Sequence, residues 1–382
     1  MILFRLTRRR VTIAVATVLV VFGLLFVGVS WYYSGLIEDG GFKVDREADE
    51  LDLEIVSVAD GKISFKHPSG EGRWVQPGLW GLEWDGGFVR VGDLLSDEDG
   101  VATRVLIPVN GNPEPEIGDD ARMTREVFQG DPLTSHGLPF EEVSFAGPLG
   151  PLGAWFVEGG DVWTIHVHGH SGDRIEALRA LPVVNRSGLS SLVIDYRNDG
   201  GVVEDPSGYY LYGSTEWRDL EAAVQFALDQ GASSVVPYGY SMGGGIVMAF
   251  LYNSPLASSV SGVVLDAPML DLARVIDQAG GQRHVPGLIT STARFITEQR
   301  FDVEFDDMAY LGDVDQLDAP ILLFHGDDDD RVPVGTSDDL AAARLDLVTY
   351  ERVAGAKHVH SWNLDSDRYE SVLESFLGSL SE

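Results

Sequence analysis

The sequence of 382 residues contains no cysteine. Disulfides, a thiol nucleophile and any cysteine-ligated metal site are therefore excluded. Lysine is almost as rare, and the chain has only four of them, Lys43, Lys62, Lys66 and Lys357. The missing cysteine neither supports nor opposes export of the chain.

Positive charge is scarce in general, because 60 acidic residues face 27 basic ones. Four of the 27 basic residues are arginines within the first ten residues. The remaining chain therefore has 23 basic and 60 acidic residues, and its formal net charge is about −37. Such a surface repels polyanions, so nucleic acid is excluded as a partner. The same charge balance suits solubility in high salt, and we expect stability to rise with ionic strength.

Charge is absent altogether from residues 11–30, an apolar run of about the length that a helix needs to cross a bilayer. The run follows an arginine-rich start and precedes Trp31, Tyr32 and Tyr33, whose rings favour the membrane interface. Because arginines stay cytoplasmic, we predict a single-pass anchor over residues 1–34, with all later residues on the outer face of the cell membrane. A cleaved signal peptide is the alternative, but residues 28–30 make a poor cleavage site.

Three further regions follow from the residue pattern. Residues 35–50, with two adjacent glycines and clustered charges, predict a linker. Short alternating runs over residues 51–139 predict a small β-rich module. It contains Trp74, Trp80 and Trp84, for which an aromatic core is favoured over a binding groove.

From residue 140 to residue 382, apolar runs alternate with amphipathic stretches of helical length. This alternation is typical of a mostly parallel sheet covered by helices. Strands are predicted at residues 162–167, 191–195, 234–238, 262–265, 321–324 and 348–353. Helices are predicted at residues 174–181, 215–229, 242–252, 337–343 and 366–377.

The most informative segment is Gly-Tyr-Ser-Met-Gly at residues 239–243, between a predicted strand and a predicted helix. A serine in this pattern occupies a sharp, strained turn that exposes its hydroxyl at the carboxyl end of the sheet. Gly239 and Gly243 are expected because a side chain at either position would collide across the turn. Ser241 is therefore predicted to be a nucleophile.

A serine nucleophile needs a base and an acid that orients the base, both expected in loops after later strands. The loop after residues 321–324 contains four consecutive aspartates, residues 327–330. The loop after residues 348–353 contains His358 and His360. Order and spacing alone leave the acid among the four aspartates and the base between the two histidines.

Residues 168–172, 239–244, 325–333 and 355–358 together resemble the α/β-hydrolase superfamily. The likeness is to its bacterial, membrane-anchored branch, which includes serine aminopeptidases and lysophospholipase-like esterases. It covers residues 140–380 and implies the α/β-hydrolase fold, a mostly parallel sheet flanked by helices. Residues 51–139 lie outside the resemblance.

The resemblance also selects site residues. It places the acid on Asp329, with Asp330 as the next candidate, and the base on His358, with His360 as its rival. The oxyanion is expected to be held by two main-chain N–H groups. One belongs to Met242, at the start of a helix, and the other, by resemblance, to His170.

No cofactor is predicted, because the chain lacks the glycine-rich motifs that bind nucleotides. His166, His168 and His170 alternate and would share one face of a strand, so a metal site has to be considered. No acidic ligand or cysteine accompanies them, and no metal is predicted. His168 is instead expected to brace the oxyanion loop.

We predict a serine esterase that cleaves acyl esters through an acyl-enzyme, as a carboxylesterase or lysophospholipase-like enzyme. Its substrate is then a small acyl compound, and a site beside a membrane makes lipids candidates. The apolar residues of segment 268–318 fit an acyl-binding lid and ordinary helix packing equally well.

A serine aminopeptidase with acidic pocket residues is the alternative enzyme, and an anchored binding protein without catalysis is the third class. The sequence leaves the oligomeric state open.

Overall fold

The computed structural model describes residues 8–44, 50–68 and 72–380 of the chain. Helix α1 (Arg8–Ile37) has 30 residues, and its first half projects away from the rest of the molecule. In the described part of the chain, this is the one helix with the length and apolarity of a membrane span, criteria that a signal sequence also meets. The predicted basic flank lies partly outside the described residues, which begin at residue 8, and the side chains of residues 8–10 are not described.

The end of α1 is not a free linker. One turn of π-helix (Glu38–Phe42) follows it, and the Phe42 side chain is fully buried between the rings of Tyr209, Tyr212 and Phe305. The predicted linker over residues 35–50 is therefore wrong for residues 35–44, because an aromatic side chain at position 42 packs into the core. Residues 45–49 of that prediction lie outside the described residues.

A closed barrel of six antiparallel strands comes next and confirms the predicted β-rich module. Its order is β1-β2-β5-β4-β3-β6. Inward-facing residues alternate along each strand and form a separate core that includes Trp80 and Trp84, whereas Trp74 lies half-buried at the rim. The strands are β1 (Leu53–Ala59), β2 (Lys62–Lys66), β3 (Trp80–Trp84), β4 (Gly87–Glu98), β5 (Val101–Ile107) and β6 (Asp120–Thr124).

A short helix, α2 (Pro132–His136), leads from the barrel to a sheet of eight strands in the order β14-β13-β12-β11-β9-β10-β8-β7. Pairs within β9–β14 are parallel, and β8 is antiparallel to both of its neighbours. The α/β-hydrolase fold is thereby confirmed. The strands are β7 (Glu141–Ala146), β8 (Pro151–Val157), β9 (Val162–Val167), β10 (Ser190–Ile194), β11 (Ser234–Tyr240), β12 (Val263–Asp266), β13 (Ile321–Gly326) and β14 (Val348–Val353).

Helices cover both faces of this sheet. The helix predicted at residues 174–181 is instead a 3₁₀ segment (Arg174–Arg179) followed by a separate helix, because Pro182 cannot continue the hydrogen bonds of a preceding helix. The helices are α3 (Leu181–Arg186), α4 (Trp217–Asp229), α5 (Met242–Asn253), α6 (Leu272–Gln282), α7 (Gly287–Phe301), α8 (Gly335–Ala343), α9 (Ser361–Leu364) and α10 (Ser366–Ser379).

Candidate active site

Ser241 lies in the turn between β11 and α5, with φ of 49° and ψ of −115°. A non-glycine residue in this region is strained, as expected for a nucleophile turn. A Cβ on Gly239 would lie 2.6 Å from the main chain of Gly243, which is the collision expected across the turn. A Cβ on Gly243 would instead lie 2.1 Å from the carbonyl oxygen of Val167, so the end of β9 imposes the second glycine.

A chain of hydrogen bonds leads from Ser241 to Asp329. The distance from Ser241 Oγ to His358 Nε2 is 2.8 Å, and that from His358 Nδ1 to Asp329 Oδ2 is also 2.8 Å. When Nδ1–H donates to the carboxylate, Nε2 accepts the serine hydroxyl, which is the arrangement that general-base activation needs.

Groups other than His358 also hold the Asp329 carboxylate in place. Its Oδ1 accepts the main-chain N–H groups of Arg331 and Val332, each at 2.8 Å, and its Oδ2 lies 3.1 Å from Nε2 of His325. Burial alone would raise its pKa, but the two histidines and their hydrogen bonds hold the pKa of Asp329 well below its usual range. The carboxylate is therefore ionised and fixed.

His325 is a supporting residue that the sequence reasoning missed. It is fully buried at the end of β13, and its Nδ1 accepts the hydroxyl of Ser337 at 2.7 Å. Its Nε2 faces two acceptors, Asp329 Oδ2 and the Val332 carbonyl oxygen at 3.2 Å, so this nitrogen carries the proton and donates. The signal was its position at the start of the resembling segment 325–333, four residues before Asp329.

The rival acid and base point elsewhere. Asp330 is half-exposed and pairs with Lys357 at 3.2 Å. His360 turns to the barrel, where its Nδ1 lies 3.0 Å from Oε1 of Gln76 and its ring meets the edge of Trp80. Burial lowers the pKa of His360 well below its usual value. Of the sequence candidates, the structure brings Asp329 and His358 together with Ser241.

The loop of residues 168–172 passes close to Ser241, since a Cβ on Gly169 would lie 3.2 Å from the serine Cβ. Gly169 N–H donates to the Glu176 carboxylate at 2.8 Å, which fixes the loop. The His170 ring packs on the rings of Tyr210 and Tyr212. Met242 is the first residue of α5, where a main-chain N–H has no acceptor within its own helix.

The three alternating histidines do not converge. His168 Nε2 lies 2.9 Å from Asp199, and its ring stacks on Tyr196 behind the loop. Burial opposes protonation of His168, but the charge and hydrogen bond of Asp199 raise its pKa to about 9. His166 stacks on Tyr238 inside the sheet, where burial lowers its pKa to about 3. Among residues 8–44, 50–68 and 72–380, no group of three or more histidines and acids is arranged to hold a metal.

A cavity of about 1110 Å³ opens between the barrel and the sheet domain, with His170 and His358 in its wall. Trp74 contributes from the barrel rim, so one of the three tryptophans faces the cavity and the other two form core. No residue of segment 268–318, all of which is described, lines it.

Half of the residues that line this cavity are charged, and most of its acids are paired. Arg122 lies 2.6 Å from Glu83, and Arg125 lies 2.9 Å from Glu126 and 3.0 Å from Glu176. Burial opposes ionisation of Glu126, but Arg125 lowers its pKa to about 2. The wall of this cavity is therefore polar and nearly balanced in charge.

The barrel also holds the segment that follows His358. Asn363 Nδ2 donates to the carbonyl oxygens of Leu79 and Arg125, at 2.8 and 2.9 Å, and its own carbonyl accepts Leu79 N–H at 2.9 Å. Gly78 has φ of 93°, and a Cβ there would lie 2.0 Å from the Asn363 carbonyl oxygen. From the other side, Arg179 donates to the carbonyl oxygen of Val359. The sequence carried no signal for these contacts.

Comparison with known proteins gives two matching families. The prolyl oligopeptidase family model matches residues 180–372, just over half of the chain, and this range includes Ser241, Asp329 and His358. A model described as a domain of unknown function matches residues 71–124, which span β3 to β6 of the barrel.

Individual sequences and solved structures are also similar to this chain. Two uncharacterized proteins of Mycobacterium tuberculosis, from strains CDC 1551 / Oshkosh and ATCC 25618 / H37Rv, are 26% identical over 230 residues, 59% of this chain and 74% of each relative. A solved structure of the Pyrococcus furiosus esterase Pf2001 has a TM-score of 0.54 and 20% identity, covering 66% of this chain and 95% of its own. A second crystal form of the same esterase has a TM-score of 0.53 and 20% identity, covering 66% of this chain and 98% of its own. At this identity the likeness concerns the fold.

Proposed function

The chain belongs to the prolyl oligopeptidase family within the α/β-hydrolases, and from that premise we propose that this serine hydrolase uses Ser241 as nucleophile, His358 as base and Asp329 as the orienting acid. The observation that carries the proposal is the hydrogen-bond chain of two 2.8 Å contacts between these residues. The ionised, buried Asp329 stabilises the imidazolium that forms when His358 takes the serine proton.

The reaction then has two halves. Ser241 Oγ attacks the acyl carbonyl as its proton moves to His358, and the resulting oxyanion is held by the N–H groups of Met242 and His170. Collapse breaks the ester bond, and His358 gives its proton to the leaving alcohol. Water, activated by His358, next cleaves the acyl-enzyme and releases the acid.

We propose carboxylic esters with compact, polar acyl groups as the substrates. The charged cavity wall supports this choice, since a long acyl chain gains little from a polar surface. Residues 268–318, the candidate acyl-binding lid, contribute nothing to that wall, and Met269, Leu270 and Leu272 pack into the core instead. Long-chain lipids therefore fit this cavity less well than short acyl esters.

A peptidase is the second candidate, and the family match favours it. An aminopeptidase needs a carboxylate that is available to the substrate amine. Glu83, Glu126 and Glu176 in the cavity are already paired with arginines, which weighs against that use.

Nitrophenyl esters of increasing chain length, compared with aminoacyl-anilides, test the choice. We expect the largest kcat/KM for acetate or butyrate esters, a decline toward decanoate, and weak anilide cleavage. Faster cleavage of long esters would overturn the compact-substrate proposal, and preferred anilide cleavage would favour the peptidase.

We further propose that α1 anchors the enzyme in the cell membrane, with its N-terminus cytoplasmic and the catalytic domain on the outer face. The charge-free run of residues 11–30 and the exposure of most of its side chains support this assignment. Protease added to spheroplasts should remove the catalytic domain. Full protection would contradict the orientation, and recovery of a shortened soluble enzyme would favour signal cleavage.

A further inference from the structure

Helix α7 packs along the end of α1 through small residues. Thr297 Oγ1 donates to the Ala293 carbonyl oxygen of its own helix at 2.9 Å and lies 3.4 Å from the Ser34 carbonyl oxygen, and Thr297 and Ser34 are both fully buried. One turn earlier on each helix, Ser30 and Ala293 are fully buried as well. Small residues at four-residue spacing allow close approach of two helices, as in membrane-embedded pairs.

The contacts also give the relative direction of the two segments. Ser34 meets Thr297, and further along the chain Phe42 meets Phe305 with their ring centroids 6.0 Å apart. Both pairs are separated by 263 residues, so the two segments run in the same direction. By this register, Leu288 at the start of α7 lies beside residue 25 of α1, within the charge-free run that ends at residue 30.

The solvent-exposed face of α7 is apolar where the helix lies beside the end of the charge-free run of α1. Leu288 and Phe295 are 70% and 61% exposed, and residues 287–293 carry no charge. The hydroxyls of Ser291 and Thr292 both donate to the Leu288 carbonyl oxygen, so neither requires water. Arg294, the first charged residue of α7, turns inward to Asp277 of α6 at 3.5 Å.

We propose that the amino-terminal part of α7 is a second membrane-contacting element, which inserts Leu288 into the bilayer that α1 spans and places Phe295, beside residue 32 in the same register, at the membrane interface. This inference rests on the proposed membrane anchor. Residue 25 lies five residues before the end of the apolar run, or about 7.5 Å at the helical rise per residue. That depth lies within the range of about 5–10 Å for helices in the bilayer interface.

The neighbouring helix connects this element to the active site. Gln278 and Gln282 of α6 donate to the carbonyl oxygens of Asp329 and Asp330, at 3.1 and 2.7 Å. Helices α6 and α7 are consecutive in the chain. Helix α6 therefore contacts the loop that holds Asp329, and α7 contacts the bilayer. The insertion of α7 fixes the height of the catalytic site above the membrane surface.

The cysteine-free chain makes the test direct. Single variants Leu288→Cys and Phe295→Cys, with Leu345→Cys as control, are labelled with an NBD fluorophore in the full-length chain. Leu345 is 83% exposed and lies just before β14, at the amino end of the sheet strands. The proteins are reconstituted in phosphatidylcholine vesicles that contain lipid spin-labelled near the top of its acyl chains.

We expect blue-shifted emission and quenching several-fold stronger at positions 288 and 295 than at position 345. Vesicle flotation with equally weak quenching at all three positions would overturn the α7 proposal and leave the anchor intact. Failure to float would overturn the anchor and the α7 proposal together. Emission at position 288 that shifts with protein concentration, without lipid quenching, would assign the face to a second copy of the chain and overturn the proposal.

Discussion

Two non-catalytic regions contact the catalytic domain, and the side chain at the centre of each contact differs in kind, an amide in one and an aromatic ring in the other. The barrel reaches the segment after His358 through main-chain and amide hydrogen bonds centred on Asn363. The juxtamembrane segment, residues 30–44, reaches the His170 side of the site through the buried ring of Phe42, and the Phe42 carbonyl oxygen also accepts the Tyr210 N–H at 2.8 Å. Hydrogen bonds depend on direction, whereas apolar burial contributes in proportion to area.

The two contacts support different parts of the site. Asn363 and Gly78 fix the path of the chain just after His358, which orients the base. Phe42 packs on Tyr212, whose ring in turn stacks on His170 beside the predicted oxyanion hole. We therefore expect the barrel to affect proton transfer and the juxtamembrane segment to affect stability most strongly.

The largest expected effect is on kcat, and it distinguishes His358 from His360 in the loop after β14. His358→Ala should lower kcat by about 10³-fold or more, as loss of a triad member does. His360→Ala should stay within a few-fold in kcat, because His360 contacts Gln76 and Trp80 of the barrel and not Ser241. Steady-state kinetics on a short nitrophenyl ester measures both, and the reverse ranking would move the base to His360.

The juxtamembrane contact is tested by Phe42→Ala. Removing a fully buried phenylalanine ring should lower the free energy of unfolding by about 3–5 kcal/mol. Phe22→Ala, at an exposed position of α1, is the matched control and should change it by less than about 0.5 kcal/mol. Denaturant unfolding in non-ionic detergent compares them. Equal effects would mean that residues 35–44 do act as a linker.

The barrel contact is tested by Asn363→Ala, which leaves the carbonyl oxygens of Leu79 and Arg125 without their donor. We expect a loss of about 1–3 kcal/mol in stability and a fall in kcat with little change in KM. Asn253→Ala, which removes a similar amide bond to a helix carbonyl, is the control and should leave kcat unchanged. Equal kcat in the two variants would show that the barrel does not position His358.

The sequence was most informative where one segment suffices to specify a structure. The strands at residues 162–167 and 348–353 were predicted to the residue, and the turn at Ser241 was predicted with its flanking strand and helix. Parallel strands buried on both faces give continuous apolar runs, which are easy to find. Strands β7 and β8 were missed, since β7 is largely exposed and lacks such a run.

Contacts between distant segments could not be predicted in this way. Phe42 was assigned to a linker because its neighbours are glycines and charged residues, and its partners lie more than 160 residues away. Asn363 had no visible role because its acceptors belong to the barrel. His325 begins one of the segments that carry the resemblance, but it was given no role, because its contact with Asp329 is visible only in the folded chain.

The smallest expected effect concerns salt. Self-repulsion of about 37 uncompensated negative charges should weaken as the Debye length falls from about 10 Å at 0.1 M to about 3 Å at 1 M. The thermal midpoint of the full chain in non-ionic detergent should rise by a few degrees, about equally in sodium and potassium chloride. If it falls, ion pairs such as that of Arg122 with Glu83 within the barrel outweigh the repulsion.

The central claim is that Ser241 is the nucleophile, and covalent labelling with a fluorophosphonate tests it most directly. Ser171 is the matched control, because it is an exposed serine with positive φ in the loop beside the site. Wild type and Ser171→Ala should label, with the adduct on the peptide that contains Ser241. Ser241→Ala should show neither labelling nor turnover while keeping the thermal midpoint of the wild type. Labelling or substantial hydrolysis by Ser241→Ala would contradict the account.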